Sequence, residues 1–333
     1  MKKYLLPEKG QFYKANLHCH TTVSDGKMTP EEIKAGYVAQ GYSVVAFTDH
    51  NVLIPHPELA DAQFLPLNSY ELNVNEEGPG LAKTCHMCLI ALDPDNTTPV
   101  CFHRSKYMTK NALNYASQVN FDPSELDYER EYTAECINDI MKKARDKGFF
   151  VTYNHPTWSW ETYAEYGAYN YMHAIEVFNS ECEVIGCFEY NEKAYEELLR
   201  AGKRIYCVAT DDTHSREAMF GGFTMIKAEK LEYKAITDAM VNGDFYASQG
   251  PEIHHLWFEN GVVHVDCSDV KEIRFNTGVR KRKRLLAGEG ETLNSAEFEI
   301  APEYGYVRVT IKDANGKYAY TNAYFTDALF AQE

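Results

Sequence analysis

Positive charge is scarce in this 333-residue chain: 33 Lys and Arg stand against 49 Asp and Glu, a formal net charge of -16. Residues 1–250 alone carry 23 basic and 36 acidic side chains, a balance of -13. A surface that coats nucleic-acid phosphates needs the opposite balance, so a general nucleic-acid binder is disfavoured. Bound metal ions would offset part of this charge locally, which keeps a small anionic substrate open. A long apolar leader is also missing. Met1-Lys2-Lys3-Tyr4-Leu5-Leu6-Pro7 offers too short an apolar stretch for a signal peptide or a membrane span, so a soluble, cytoplasmic protein without a membrane partner is expected. Nor is there a cysteine framework. Nine cysteines, an odd number spread over a long chain, read as free thiols in a reducing compartment, and Cys85 and Cys88 form a CxxC with no second pair near it. Low-complexity segments and internal repeats are absent. With 44% apolar and 25% charged residues the composition is that of an ordinary globular protein.

What is present is alternation. From residue 16 to about 228, short β-branched and apolar runs trade places with amphipathic helical stretches, the pattern of parallel strands joined by crossover helices. The expected strands are Asn16–Cys19, Val44–Asp49, Phe64–Val74, His86–Leu92, Phe149–Asn154, Ala174–Asn179 and Ile205–Thr210, with Phe223–Ala228 closing or edging the set. A helix over Pro30–Ala39 has Thr29 as N-cap, Pro30 at its first position and Glu32 completing a capping box. Further helices are expected over Glu131–Lys147 and Glu189–Ala201. Residues 93–123 lack periodicity and read as an excursion over the rim, the usual place for a lid. After Gly250-Pro251 the texture turns to period two, with segments such as Ile253–Glu259, Gly261–Asp266, Glu272–Asn276, Ala296–Ile300, Tyr306–Lys312 and Ala319–Phe325, giving a small antiparallel β module over 251–333. Its Trp257, Tyr304, Tyr306, Tyr318 and Tyr320 fit a sandwich core better than a glycan platform.

The chemistry sits at the strand ends. His18-Cys19-His20 puts both imidazoles on one side of an extended chain, a geometry suited to chelation. Asp25-Gly26 follows and reads equally as a plain turn. The second strand ends in Thr48-Asp49-His50, the third near Glu71, the next begins at His86, the fifth ends in Asn154-His155-Pro156, and a later one ends in Asp211-Asp212-Thr213-His214. Any one of these has a bland reading. Acidic and imidazole groups at six strand ends do not, because barrel stability asks for none of them there and the C-terminal face is where barrels expose their chemistry.

In content and order, Asn16–Gly26 (NLHCHTTVSDG), Phe47–Asn51 (FTDHN), Tyr153–Pro156 (YNHP) and Asp212-Thr213-His214 resemble the PHP family, named for polymerase and histidinol phosphatase, over roughly residues 11–250. The resemblance implies an α/β fold, a distorted (βα)7 barrel over 1–250, with a binuclear or trinuclear centre that hydrolyses phosphate esters. It implies that His18, His20, Glu71 and Asp212 hold one metal, that Glu71 bridges to a second bound by His86 and His155, and that Asp25, His50 and His214 hold a third. Asp211 is the alternative to Asp212, and Asp49 would orient His50 or a neighbour. Two or three divalent ions are expected, with Mn, Fe or Zn suiting imidazole and carboxylate donors. A metal pair about 3.5–4 Å apart polarises phosphoryl oxygens and supplies a bridging hydroxide near neutral pH.

A phosphate also needs cations. Arg216, two residues beyond His214, is the first candidate for the catalytic set beside Glu71 and Asp212, with Arg104 and Lys106 on the long loop behind it. Trp158 and Trp160 would either wall the substrate or pack the rim. His103 is the remaining histidine with suggestive neighbours. The basic run Arg280–Arg284 reads as a solvated hairpin or as a contact for a partner or phosphate. The leading expectation is a metal-dependent phosphoesterase for a small phosphorylated metabolite or nucleotide. Hydrolysis of an amide or lactone, and a non-catalytic metal-binding scaffold, are the alternatives. Nuclease action is disfavoured by the acidic balance and the absence of a polymerase segment.

Overall fold

Strands and helices alternate in the computed structural model, which describes residues 2–78 and 83–331. Helix α1 (Pro30–Ala39) starts as its sequence demands: the Glu32 N–H donates to Thr29 Oγ1 and the Thr29 N–H donates back to the Glu32 carboxylate. Helix α2 (Ala134–Asp146) begins later than expected because Thr133 caps it. Its Ile137, Ile140 and Met141 are fully buried, each worth roughly 1.5–3 kcal/mol. Helices α3 (Tyr163–Tyr166), α4 (Ser180–Val184) and α5 (Glu192–Arg200) follow, and α6 (Tyr233–Asn242) is one the sequence reading did not anticipate.

The strands are β1 (Lys2–Tyr4), β2 (Gln11–Asn16), β3 (Tyr42–Phe47), β4 (Leu65–Asn75), β5 (Thr84–Ala91), β6 (Phe149–Tyr153), β7 (Ala174–Asn179), β8 (Tyr206–Thr210), β9 (Phe223–Ala228), β10 (Phe245–Ser248), β11 (Ile253–Glu259), β12 (Val262–Val270), β13 (Glu272–Thr277), β14 (Lys283–Leu286), β15 (Leu293–Glu299), β16 (Tyr306–Lys312), β17 (Tyr318–Thr321) and β18 (Tyr324–Phe325). A 14-stranded sheet runs in the order β14-β13-β16-β17-β10-β9-β2-β3-β4-β5-β6-β7-β8 with β18 on β16, and a second sheet runs β1-β11-β12-β15.

Ladders β2–β3, β3–β4, β6–β7 and β7–β8 are parallel, as crossover connections allow. The expectation of parallel strands throughout fails in the middle, where β4–β5 and β5–β6 are antiparallel. The link from Asn75 to Thr84 is too short for a crossover, so the chain doubles back as a hairpin. That reversal brings the start of β5, with His86, to the end of the sheet where its neighbours finish. The first strand is also displaced: β2 ends at Asn16, so His18 and His20 lie just beyond it rather than within it. β8 is an edge of this sheet and β2 lies inside it; just beyond them a parallel bridge joins Cys19 to Thr213, and the His20 N–H donates to the Thr213 carbonyl at 2.9 Å.

The C-terminal strands share that sheet. Tyr246 of β10 pairs with Thr321 of β17, so a ladder crosses residue 250, and Tyr4 of β1 pairs with Trp257 of β11. Leu256, Val265, Ile273 and Val309 pack the core of this region. Among the described residues no helix is long and apolar enough to cross a membrane.

Candidate metal centre

Glu71 of β4 is 1% exposed, and five imidazoles stand around its carboxylate. His18 Nε2, His86 Nδ1 and His155 Nε2 lie 3.2, 3.1 and 3.4 Å from Oε1, while His20 Nε2 and His50 Nδ1 lie 3.4 and 3.1 Å from Oε2. Asp212 reaches in from the end of β8, with Oδ1 at 3.1 Å from both His18 Nε2 and His20 Nε2 and Oδ2 at 3.7 Å from His155 Nε2. Asp25 closes the outer side, 3.5 Å from His214 Nε2 and 3.8 Å from both His20 Nδ1 and His50 Nε2. All nine residues named as ligand candidates from the sequence therefore meet in one cluster.

Hydrogen bonding does not account for this crowding. His20 Nδ1, Glu71 Oε2 and Asp212 Oδ1 are buried without a hydrogen-bond partner, at a cost of about 1–3 kcal/mol each when nothing else satisfies them. Three orphaned atoms among converging imidazole and carboxylate donors fit divalent cations. His20, Asp25, His50 and His214 present one set of donor atoms within 4.8 Å of one another; His18, His20 and Glu71 present a second, His50, Glu71 and His86 a third, and His18, His155 and Glu176 a fourth.

The surroundings hold these groups in place. His18 donates Nδ1–H to Glu176 at 2.6 Å, which turns its Nε2 toward the cluster. Glu176 also accepts the His155 N–H at 2.9 Å and the Thr210 hydroxyl at 2.7 Å. Asn154 donates to Glu71 Oε1 at 2.7 Å, and Asn179 donates to Asp212 Oδ2 at 3.1 Å. His155 and Asp212 have left-handed backbones, φ 26° and 52°, a strain of about 1–3 kcal/mol each that these bonds sustain. The sequence singles out no role for Glu176, and it shows Asn154 only as part of the Asn154-His155-Pro156 motif. For Glu176 the signal was present, since it is the acidic residue inside the otherwise apolar start of Ala-Ile-Glu-Val-Phe-Asn.

Charge is divided sharply across the cluster. Burial opposes ionisation of Glu71, yet His86, His18 and His50 outweigh it and hold the carboxyl well below its usual range. Burial likewise resists charge on Asp212, and His18, His20, His214 and His155 override it. Burial works against protonated His20, but Asp212 and Glu71 lift it to about 10. Burial and the neighbouring His20 charge push His50 down to about 3.

Several expectations need correction. Arg216 sits in a 3-10 turn, Arg216–Ala218, that directs its guanidinium outward to Glu32 at 3.6 Å; the side chain is 68% exposed and lines neither cavity at the cluster. Arg104 and Lys106 are likewise spent on Asp127 and Glu129 along the loop, and His103 approaches Glu129. The cations beside the cluster are ones the sequence did not suggest, and two of the three are themselves paired. A cavity of about 310 Å3 over Glu71, Asp212 and His214 includes Lys27, and a second of about 630 Å3 beside it includes Lys83, 2.5 Å from Glu165, and Lys110, 2.8 Å from Asp25. Trp158 borders both cavities, edge-on to His155 and His86, and Trp160, 64% exposed, lines the larger one at its rim. Of the two roles expected of Asp49, it takes the second and holds a neighbour rather than His50. It accepts from Thr21 and Ser24 and so anchors the loop that presents Asp25.

Residues 16–207, more than half of the chain, match the PHP domain family. This chain belongs to the PHP family. With that membership come metal-dependent hydrolysis and the use of divalent metal. A 5'-3' exoribonuclease from Haemophilus influenzae is 33% identical over 90 residues, 26% of this PHP chain and 31% of that protein, so the match spans about a third of the relative's length. Among solved structures, a two-domain protein from Bacteroides vulgatus containing a predicted PHP-like metal-dependent phosphoesterase aligns over 97% of this chain and 98% of its own, at 14% identity and a TM-score of 0.46. An amidohydrolase from Chromobacterium violaceum with bound sulfate and no metal aligns over 61% and 88%, at 16% identity and a TM-score of 0.38.

Proposed function

We propose that this PHP protein is a phosphoesterase acting on a small phosphorylated metabolite or nucleotide, with Mn, Fe or Zn held in a two- or three-ion centre on a distorted (βα)7 barrel. The observation that carries the reading is the cavity over Glu71 and Asp212, where Lys27 shares the walls with imidazole and carboxylate residues. His18, His20, Glu71 and Asp212 form the inner set, Glu71 is shared with His86 and His155, and Asp25, His50 and His214 form the outer set. Metal bound there supplies Lewis acidity and an activated water. The chain's own part is placement: Glu176 fixes the His18 ring, Trp158 walls the cavity, and Lys27 and Lys110 meet the phosphate oxygens. We assign residues 1–250 to the hydrolase and 251–333 to a β module that adds to its sheet. Nine unpaired cysteines support a cytoplasmic setting.

Hydrolysis of an amide or lactone is the second reading. Among the described residues no arginine lines either cavity at the cluster, which leaves the oxyanion without a bidentate clamp. A screen for phosphate release, run beside an amide and lactone screen on metal-loaded protein, separates the two. Phosphate release lost in Asp212→Ala supports the first reading. Amide or lactone cleavage without phosphate release replaces it, and full metal occupancy with neither activity points to a scaffold.

A further inference from the structure

The basic run Arg280–Arg284 plays no part in the hydrolytic site, and it borders a cavity of its own. This cleft, about 460 Å3, lies between α5 and the β13–β14 hairpin; Glu192, Glu196 and Arg200 face Arg280, Arg282 and Arg308 across it. The floor is internally balanced. Arg308, 1% exposed, donates Nε to Glu196 at 2.5 Å and Nη2 to Glu192 at 2.6 Å, and the Tyr306 hydroxyl donates to the other Glu196 oxygen at 2.8 Å. A guanidinium has five N–H donors. With Thr310 Oγ1 taking a third, Arg308 keeps two to offer a ligand.

The rim is not balanced. Among the described residues neither Arg280 nor Arg282 forms an ion pair, whereas their neighbours Arg274 and Arg284 both reach Glu272. Arg200 has Glu196 at 3.6 Å, a carboxylate already engaged by Arg308 and Tyr306. Four arginines against two glutamates leave the lining at +2, in a chain whose net charge is -16. An acid-rich surface offers partners for stray cations, so two unpaired guanidiniums facing a cleft with a buried third are a local departure from the chain's own charge balance.

We propose that this cleft binds a small polyanion carrying two or more phosphate groups. Guanidinium forks match phosphate oxygens in a bidentate manner. The cavity is in the size range of small-molecule sites, roughly 300–1,000 Å3, and exceeds what one inorganic phosphate fills. A nucleic-acid track would need the basic stripe to continue, but the chain runs on into Glu289 and Glu291. Because α5 forms one wall and the C-terminal strands the other, an occupant joins the two parts of the molecule.

The test is calorimetric titration of the full metal-loaded chain with inorganic tripolyphosphate in excess Mg2+, on wild type, Arg280→Ala/Arg282→Ala, Arg280→Lys/Arg282→Lys and Asp212→Ala. Saturable binding at one site is expected, weakened at least about tenfold in the double alanine variant, partly recovered in the double lysine variant and unchanged in Asp212→Ala. Both arginines are exposed, so their loss leaves the fold intact, and a thermal melt checks this. Wild-type affinity in the double alanine variant, or loss confined to Asp212→Ala, places the anion at the metal centre and overturns the proposal. No saturable binding overturns it too. A single-stranded oligoribonucleotide that binds more tightly than tripolyphosphate and is lost in the double alanine variant assigns the cleft to nucleic acid instead.

Discussion

Glu71 and Glu161 are both buried, and their surroundings differ in kind. Glu161 accepts from three neutral donors, the hydroxyls of Tyr132, Tyr153 and Tyr169, and neither of its oxygens lacks a partner. Burial outweighs those bonds and raises its carboxyl to about 7. Glu71 is ringed by five imidazoles, keeps one oxygen without a hydrogen bond and ionises well below the ordinary range. The comparison teaches how to tell a polar core from a ligand site: a satisfied carboxylate among neutral donors finishes its work on folding, while an unsatisfied one among ionisable donors is held ready for something else.

The largest expected effect breaks the cluster side of that contrast. Glu71→Gln and Asp212→Ala should each lower hydrolysis at least about a thousandfold; a loss of less than tenfold, measured under saturating metal, would remove them from the reacting centre. Glu176→Gln is a sharper probe, since it leaves all nine candidate ligands intact and removes only the charge that orients His18. A drop of roughly 10–100-fold in metal affinity or activity is expected, with the fold retained by circular dichroism.

Glu161→Gln should act on stability instead. The ordinary glutamate value is 4.5 and the folded value about 7, so between those pH values the folded chain keeps a proton that the unfolded chain has released. Stability from this group therefore falls as pH rises through that window, and Glu161→Gln abolishes that slope. Urea unfolding of both proteins at about pH 5 and about pH 8 checks it, and a pH dependence identical to wild type would show that Glu161 does not titrate there. Smallest of all is Arg216→Ala. Its distant surface pair with Glu32 implies activity within about twofold of wild type, whereas a tenfold loss would return Arg216 to the substrate.

Much of the histidine and carboxylate cluster was legible because strand-end position and residue type are both written in the chain. His18, His20, His50, His155 and Asp212 each follow an apolar run, and that alone announces where they emerge. His86 was legible as a residue but not as geometry, since a strand's direction depends on the length of its connection and the hairpin after β4 reverses it. Glu176 stayed hidden because its role is set by residues far from it in sequence, His18 beyond β2 and Thr210 on the neighbouring β8. Arg216 misled for a related reason: proximity in sequence to His214 says nothing about which way a 3-10 turn points a long side chain. The capped start of α1 was readable to the residue, because a capping box is a local interaction, whereas the place where β2 stops was not.

The most direct test compares the metal content of purified Glu71→Gln with that of Glu161→Gln by mass spectrometry, beside wild type. The account predicts wild-type metal in Glu161→Gln and loss of most of it in Glu71→Gln. A full metal complement in Glu71→Gln would contradict it.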